Sequence, residues 1–419
     1  MAVNASPEYD LILLGATGFT GKLCAEYITQ HLPTDLKWAV AGRNWKKLSA
    51  VVDDLKSLNA DRKSPEIEIA ELSSQDLDKL ARKARVIITT IGPYHLYGTP
   101  VVEACAKAGT HYIDCTGETP WVYHAVQKYH ETAKASGAIL IPLCGIESAP
   151  ADVTAYLLAS HMRSKYSSGV AQLTHSIQAL RGDTSGGTLL SALTIMDSYS
   201  VPQLRQSRSP FSLALSRPQA AKPLKPLSYR LFGSFRFPGL GLLTDSLCGV
   251  QDRQLVYRTW SLLDGGAFYG PKFTYSSWMR TKSRISAFVF HFGFAAAVVA
   301  LLFKPLRWLL KKLVKQPGEG PPKDQHSSHF IKVKALATSD SNSRQTAECT
   351  MSYSGDMYYL TGLLMSEAAM VLLRPDPSKE NWAQKLRGGF LTPATLGEQY
   401  VERLRNAGMR IEVGSEGEV

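Results

Sequence analysis

Between residues 9 and 31 a strand, a tight glycine turn and a helix start follow one another without interruption, and few folds accept that succession. Tyr9–Leu14 is a continuous apolar run, the pattern of a strand buried on both faces of a parallel sheet. It passes directly into Gly15-Ala16-Thr17-Gly18-Phe19-Thr20-Gly21. Residues 22–31 then carry helix formers with apolar groups at Leu23, Tyr27 and Ile28. In that setting each glycine has its own reason. Gly15 permits the sharp turn, Gly18 lets the backbone approach a pyrophosphate, and Gly21 lets the helix lie close to the sheet. The N–H groups of the opening helical turn lack intrahelical acceptors and suit an anion. A dinucleotide is the expected ligand, with Gly15, Thr17, Gly18, Phe19, Thr20 and Gly21 around it.

Residues 36–41 read as the second strand, and its end selects the kind of dinucleotide. A domain that prefers NAD presents Asp or Glu there to the ribose hydroxyls. This strand ends instead in Ala41-Gly42-Arg43-Asn44, followed by Lys46 and Lys47. Arg43 can lie against the adenine and pair with a 2′-phosphate, and no carboxylate stands in its way. NADP is therefore expected, with Lys46 and Lys47 read as solvated helix-face charges. Strands at 67–70, 85–91, 111–114 and 138–142 alternate with helices at 76–82, 100–108 and 121–136. This is the pattern of a doubly wound parallel sheet, an α/β Rossmann domain over residues 1–150. Ligands of such sheets bind at the carboxyl ends of the strands. That rule gathers residues 15–21, Arg43, Gly92-Pro93-Tyr94, Cys115-Thr116-Gly117-Glu118 and Cys144-Gly145-Ile146-Glu147 on one edge, with Gly92, Pro93 and Tyr94 added to the cofactor set.

Taken together, GATGFTG at 15–21, AGR at 41–43, IGPY at 91–94, YIDCTGE at 112–118 and GIESAPAD at 145–152 resemble the saccharopine dehydrogenase-like oxidoreductases. That family includes the mycobacterial trans-acting enoyl reductases. The resemblance implies a Rossmann domain joined to a smaller α+β domain whose sheet covers the cofactor edge. It also implies NADP-dependent reduction, and the enoyl-reductase precedent points to a small-molecule acyl, lipidic or polyketide-like substrate. The amino-diacid of true saccharopine dehydrogenases is not expected, because residues 145–200 offer only Arg163 and Arg181.

Hydride transfer needs an aligned nicotinamide and usually a proton donor near the developing anion. None of the 18 tyrosines has Lys four positions later, so the short-chain dehydrogenase solution is absent. Tyr94, His95, Tyr97, Asp114, Glu118 and Glu147 are the candidates on the cofactor edge, and the catalytic group stays open among them. Tyr94, after Gly-Pro, is expected to pack against or bond the cofactor. Glu118 and Glu147 serve equally well as helix caps or as acids. A non-catalytic NADP sensor is the competing reading.

The second half, residues 151–390, reads as an α+β substrate or dimerisation domain. Strands are expected at 172–180, 253–263, 329–337 and 344–353, and helices at 186–199 and 356–373. Residues 207–238 are expected as a long loop or an ordered surface excursion. A last helix and strand, in 391–419, are expected to pack back on the Rossmann domain. Within this domain residues 285–303 form a 19-residue stretch with only Ser286, His291 and Gly293 outside the apolar set. Arg280, Lys282 and Arg284 precede it, and Lys304, Arg307, Lys311, Lys312 and Lys315 follow, before Pro317–Pro322. Basic residues on both sides favour an interfacial anchor, residues 285–315, over a spanning helix. The expected place is the cytoplasmic face of a membrane or a lipid droplet. A buried helix or a homodimer contact is the alternative.

The net charge of +11 sits beside this anchor and in residues 205–236, without nucleic-acid-binding signatures, so no nucleic acid is expected as a partner. Six dispersed cysteines form no CxxC pair and no metal-ligand spacing, which fits a reducing compartment. The first residues have neither a basic nor an apolar signal region, so a cytosolic start is expected.

Overall fold

The computed structural model describes residues 6–182, 186–219, 225–313 and 328–416. Strict alternation builds its first half. The order is β1 (Tyr9–Leu14), α1 (Phe19–His31), β2 (Trp38–Gly42), α2 (Trp45–Lys56), β3 (Glu66–Ile69), α3 (Ser74–Lys83) and β4 (Ala84–Thr89). Then come α4 (Tyr94–Ala108), β5 (His111–Asp114), α5 (Thr119–Ser136) and β6 (Ile139–Ile141). These strands pair in parallel in the order β3-β2-β1-β4-β5-β6. The order reverses at β1, so the glycine turn stands at the switch point where such sheets bind their ligands.

The second half continues with α6 (Ala149–Tyr166), β7 (Val170–Arg181), α7 (Gly186–Ser198), α8 (Val201–Ser207), α9 (Leu227–Phe232), β8 (Phe235–Phe237), β9 (Gly241–Asp245) and α10 (Gly249–Leu262). It proceeds through β10 (Thr274–Arg280), α11 (Arg284–Ala300), α12 (Lys304–Leu313), β11 (Phe330–Ser339), β12 (Thr346–Ser354) and α13 (Met357–Leu373). It ends with α14 (Trp382–Leu386), β13 (Gly389–Phe390), α15 (Gly397–Asn406) and β14 (Arg410–Ser415). The second sheet has the order β14-β12-β11-β7-β10-β9-β8 and is antiparallel except between β7 and β10.

Two late elements return to the first sheet. β13 pairs with β6 and completes that sheet. α13 lies along α1 so closely that a Cβ on Gly362 would stand 2.8 Å from Cys24 Cα. Leu11 and Leu13 of β1 share one core with Leu360, Leu363 and Leu364 of α13. Between the helices, Tyr27 Oη donates to Glu367 Oε1 and Arg403 Nε to Glu367 Oε2, each at 2.5 Å. The buried carboxylate is thereby paired on both sides.

The structure differs from the sequence reading in several places. α4 starts at Tyr94, six residues before the expected start, and holds Pro100 inside it. Residues 253–263, expected as a strand, belong to helix α10. Nearly every residue from Gln254 to Leu262 is buried, so no polar stripe marks the helical period. Of the two readings of residues 207–238, the ordered excursion fits, since the stretch includes α9 and β8. The last strand, expected to pack on the Rossmann domain, pairs with β12 in the second sheet.

The apolar stretch is the exposed helix α11, followed after a 100° bend by α12. Among the described residues no single helix is long and apolar enough to cross a membrane. Only Ala287 of α11 is buried, while Ile285, Val289 and Val299 are 78%, 64% and 65% exposed. Burial within its own chain therefore does not account for this segment. His291, the one imidazole in it, is bonded to Asp245, which also accepts from Tyr229. α12 is tied to α7: Arg307 Nη2 reaches Asp197 Oδ1 at 2.6 Å and Lys311 Nζ reaches Asp197 Oδ2 at 2.5 Å. Pro317–Pro322 lies outside the described residues.

Candidate active site

The turn after β1 is built as a cradle with no room for side chains where the backbone closes. Gly15 adopts φ +97°, and a Cβ there would come within 2.8 Å of Ile91 and Thr90. A Cβ on Gly21 would collide with the Gly15 carbonyl, so only glycine lets α1 approach the strand. Gly18 differs: its nearest neighbour would be Gly15 O at 3.4 Å, and the side facing a ligand is open. Thr17 and Thr20 are half-buried beside it. Phe19 sets its ring edge-on against Tyr358, with centroids 5.1 Å apart, so its backbone is the part offered to the ligand. Gly18 is the N-cap of α1 and supplies no side-chain cap, leaving the first-turn amides to an anion.

Arg43 stands exposed just past the end of β2 and makes no ion pair among the described residues. Asn44 Oδ1 accepts from Lys47 N at 3.0 Å, so the position where a ribose-binding acid is expected caps α2 instead. Both the cradle and the free guanidinium fit a 2′-phosphorylated dinucleotide.

The next loop carries the cis Gly92–Pro93 bond and leads into α4. Here the expectation for Tyr94 needs correction at its side chain. The residue is 6% exposed, its hydroxyl donates to Thr89 O at 3.0 Å, and its ring leans on Trp121. Burial holds that phenol well above its ordinary pKa. Tyr94 supports the loop from beneath. Glu118 is also structural. Its two oxygens accept Tyr94 N at 2.9 Å and His95 N at 2.8 Å, capping α4, and it holds the His95 imidazole as well. Burial works against its charge, yet His95 and these amides bring its pKa below the ordinary value.

Asp114 at the end of β5 is fully buried. It accepts from Tyr112 Oη at 2.6 Å, Thr116 N at 2.9 Å and Leu143 N at 3.2 Å, and burial pushes its pKa up to about 7. Asp152 likewise fastens rather than caps: it accepts from Thr259 Oγ1 and from Ala394 N, joining α6 to α10. Tyr97 is 43% exposed on α4. Glu147 is the remaining candidate. It lies between β6 and α6, is open to solvent, and sets Oε2 beside Gly117, where a Cβ would collide with it. The packed surroundings raise its pKa, Gln251 opposing the shift and Glu118 adding to it. Gln251 of α10 and Cys248, which precedes that helix, thus belong to this edge. The sequence reading missed them because they lie ahead of the expected strand at 253–263, where the structure has already begun helix α10.

Residues 11–141 match the family model of the saccharopine dehydrogenase NADP binding domain. A putative trans-acting enoyl reductase of Mycobacterium tuberculosis is 32% identical, over 98% of this chain and 99% of its own. The chain is a saccharopine dehydrogenase-like oxidoreductase. A trans-acting enoyl reductase of Mycobacterium bovis is 30% identical, over 97% of each chain. In fold, this oxidoreductase is similar to saccharopine dehydrogenase (L-Glu forming) of Saccharomyces cerevisiae, with a TM-score of 0.56 at 10% identity over 97% of this chain and 99% of that one. Its cofactor is NADP. All six cysteines are free, and among the described residues no group of side chains could hold a metal.

Proposed function

We propose that this oxidoreductase reduces the double bond of a lipidic or acyl substrate, in the manner its enoyl reductase relatives are named for, at a membrane or lipid-droplet surface. NADPH supplies the hydride. The glycine cradle and Arg43 orient it, and Glu147 delivers the proton to the carbon or oxygen that becomes negative. The observation that carries this reading is the contrast among the acids. Asp114 and Glu118 are consumed by backbone amides, whereas Glu147 is reachable and has its proton held more tightly than an ordinary glutamate. An amino-diacid is disfavoured by Arg163, which donates to Ala267 O at 3.1 Å and lies over Phe268.

The surface location is supported by the exposed apolar side chains of α11, by the cations flanking them and by Trp308, 61% exposed on α12. A homodimer through the same helices is the other partner that would cover them.

NADPH oxidation with 2-enoyl thioesters of increasing chain length tests the chemistry. Glu147→Gln should lower kcat by about two orders of magnitude with NADPH affinity unchanged. The basic limb of the wild-type profile should fall at a pH above an ordinary glutamate's, since the acid is lost as pH rises through its raised pKa. Undiminished turnover in the variant would remove Glu147 from the reaction. Tight NADPH binding with no turnover on any thioester would favour the sensor.

A further inference from the structure

Arg253 is a guanidinium without a counter-ion. It lies on α10, half-buried, and its Nε has no exposed surface and no hydrogen-bond partner. Among the described residues it makes no ion pair. The acids close in sequence or space make no ion pair with it: Asp252 gives one oxygen to Ser277 Oγ at 2.7 Å, and Asp245 serves His291 and Tyr229. Two further cations act on the same place, Arg208 at the end of α8 and Lys225 before α9, and both repel Arg253. Lys225 Nζ lies 4.5 Å over the Tyr229 ring. Tyr257, one turn further along α10, accepts from Tyr275 N at 3.1 Å, and among the described residues the buried Tyr275 hydroxyl has no hydrogen-bond partner.

Burying such a charge unpaired is costly. Arginine's planar fork matches carboxylate and phosphate oxygens bidentately, and tyrosine hydroxyls donate to the same oxygens. Two positions on from Gln251, Arg253 faces about 200° around the helix from the Glu147 edge, at the junction of α8, α9, α10 and β10.

We propose that Arg253, with Arg208 and Lys225 at its rim and Tyr257 and Tyr275 beside it, forms an oxyanion-binding site for a carboxylate or phosphate group. It is distinct from the pyrophosphate cradle and stands whether or not the reduction does. An acyl substrate whose carrier end or far end is anionic would be fastened there, away from its reacting carbons.

Thermal unfolding of the full-length protein at saturating NADPH, titrated with inorganic phosphate and separately with glutarate, tests this. The wild type should be stabilised saturably by at least one anion, and the one that saturates at lower concentration identifies the ligand's chemistry. Arg253→Gln should abolish that stabilisation, and Arg253→Lys should shift the half-saturating concentration upward by roughly 10-fold. NADPH affinity should be equal in all three proteins. Without added anion, Arg253→Gln should unfold at or above the wild-type temperature, because an uncompensated charge has been removed. Protection of all three proteins alike, protection of none, or an anion-free Arg253→Gln that unfolds well below the wild type would each overturn the site.

Discussion

Arg43 illustrates how a side chain with no partner can be more informative than one with several. It is exposed, forms no ion pair among the described residues, and follows a strand whose end holds no acid. Arg43→Ala should weaken NADPH binding by one to two orders of magnitude, about the worth of a charge-assisted bond, and leave NADH binding nearly unchanged. Fluorescence titration with both nucleotides decides it, and equal losses would contradict the assignment. Asp114 gives a prediction of another kind. Its carboxyl is raised to about 7 in the folded chain, against about 4 for a free aspartate. The folded state therefore holds the proton more tightly. Its contribution to stability is full below about pH 4 and is lost as pH rises toward 7. Asp114→Asn keeps an acceptor for Thr116 N and Leu143 N, so it should flatten the fall in melting temperature across that window. A wild-type slope in the variant would place the titration elsewhere. At this scale the glycines and Arg43 were legible because their chemistry needs only a strand end and a turn. The roles of Tyr94 and Glu118 were not, because they depend on which way a side chain turns inside α4 and across the loop from β5.

Helices and strands were readable in proportion to how unevenly water reaches them. β1 and β5 have the bounds expected from their apolar runs. α10 was misread because it is wrapped by α6, β10 and the segment at 207–212, and a helix buried on all sides loses its polar stripe. α11 presents the reverse situation, a helix visible as apolar and yet left outside the core. Ile285, Val289 and Val299 touch solvent and not the fold, so replacing all three with Asn should spare NADPH binding and the melting temperature. The same variant should lose sedimentation with phosphatidylserine-containing vesicles if the helix rests on lipid. If it instead changes the mass of the particle in solution, the surface joins two copies of the chain.

The two sheets do not divide the molecule at one point along the chain. Residues 1–150 supply six strands of the first sheet, but β13 completes it and α13 shields one of its faces. Cutting at residue 150 would lay open Leu11, Leu13, Val86 and Ile88, all below 1% exposed in the full chain. A fragment of residues 1–150 should therefore aggregate or unfold and fail to retain NADPH, although it contains every residue assigned to the cofactor. Cooperative melting of a soluble fragment with wild-type affinity would refute this. The same arrangement bears on how the molecule is made. A ribosome releases the cradle first and the strand and helix that secure it last, with about 200 residues of the second sheet and the apolar α11 emerging in between. The nascent chain must hold its nucleotide half unfinished until Phe390 has left the tunnel, so the exposed face of α11 emerges before a finished oxidoreductase exists.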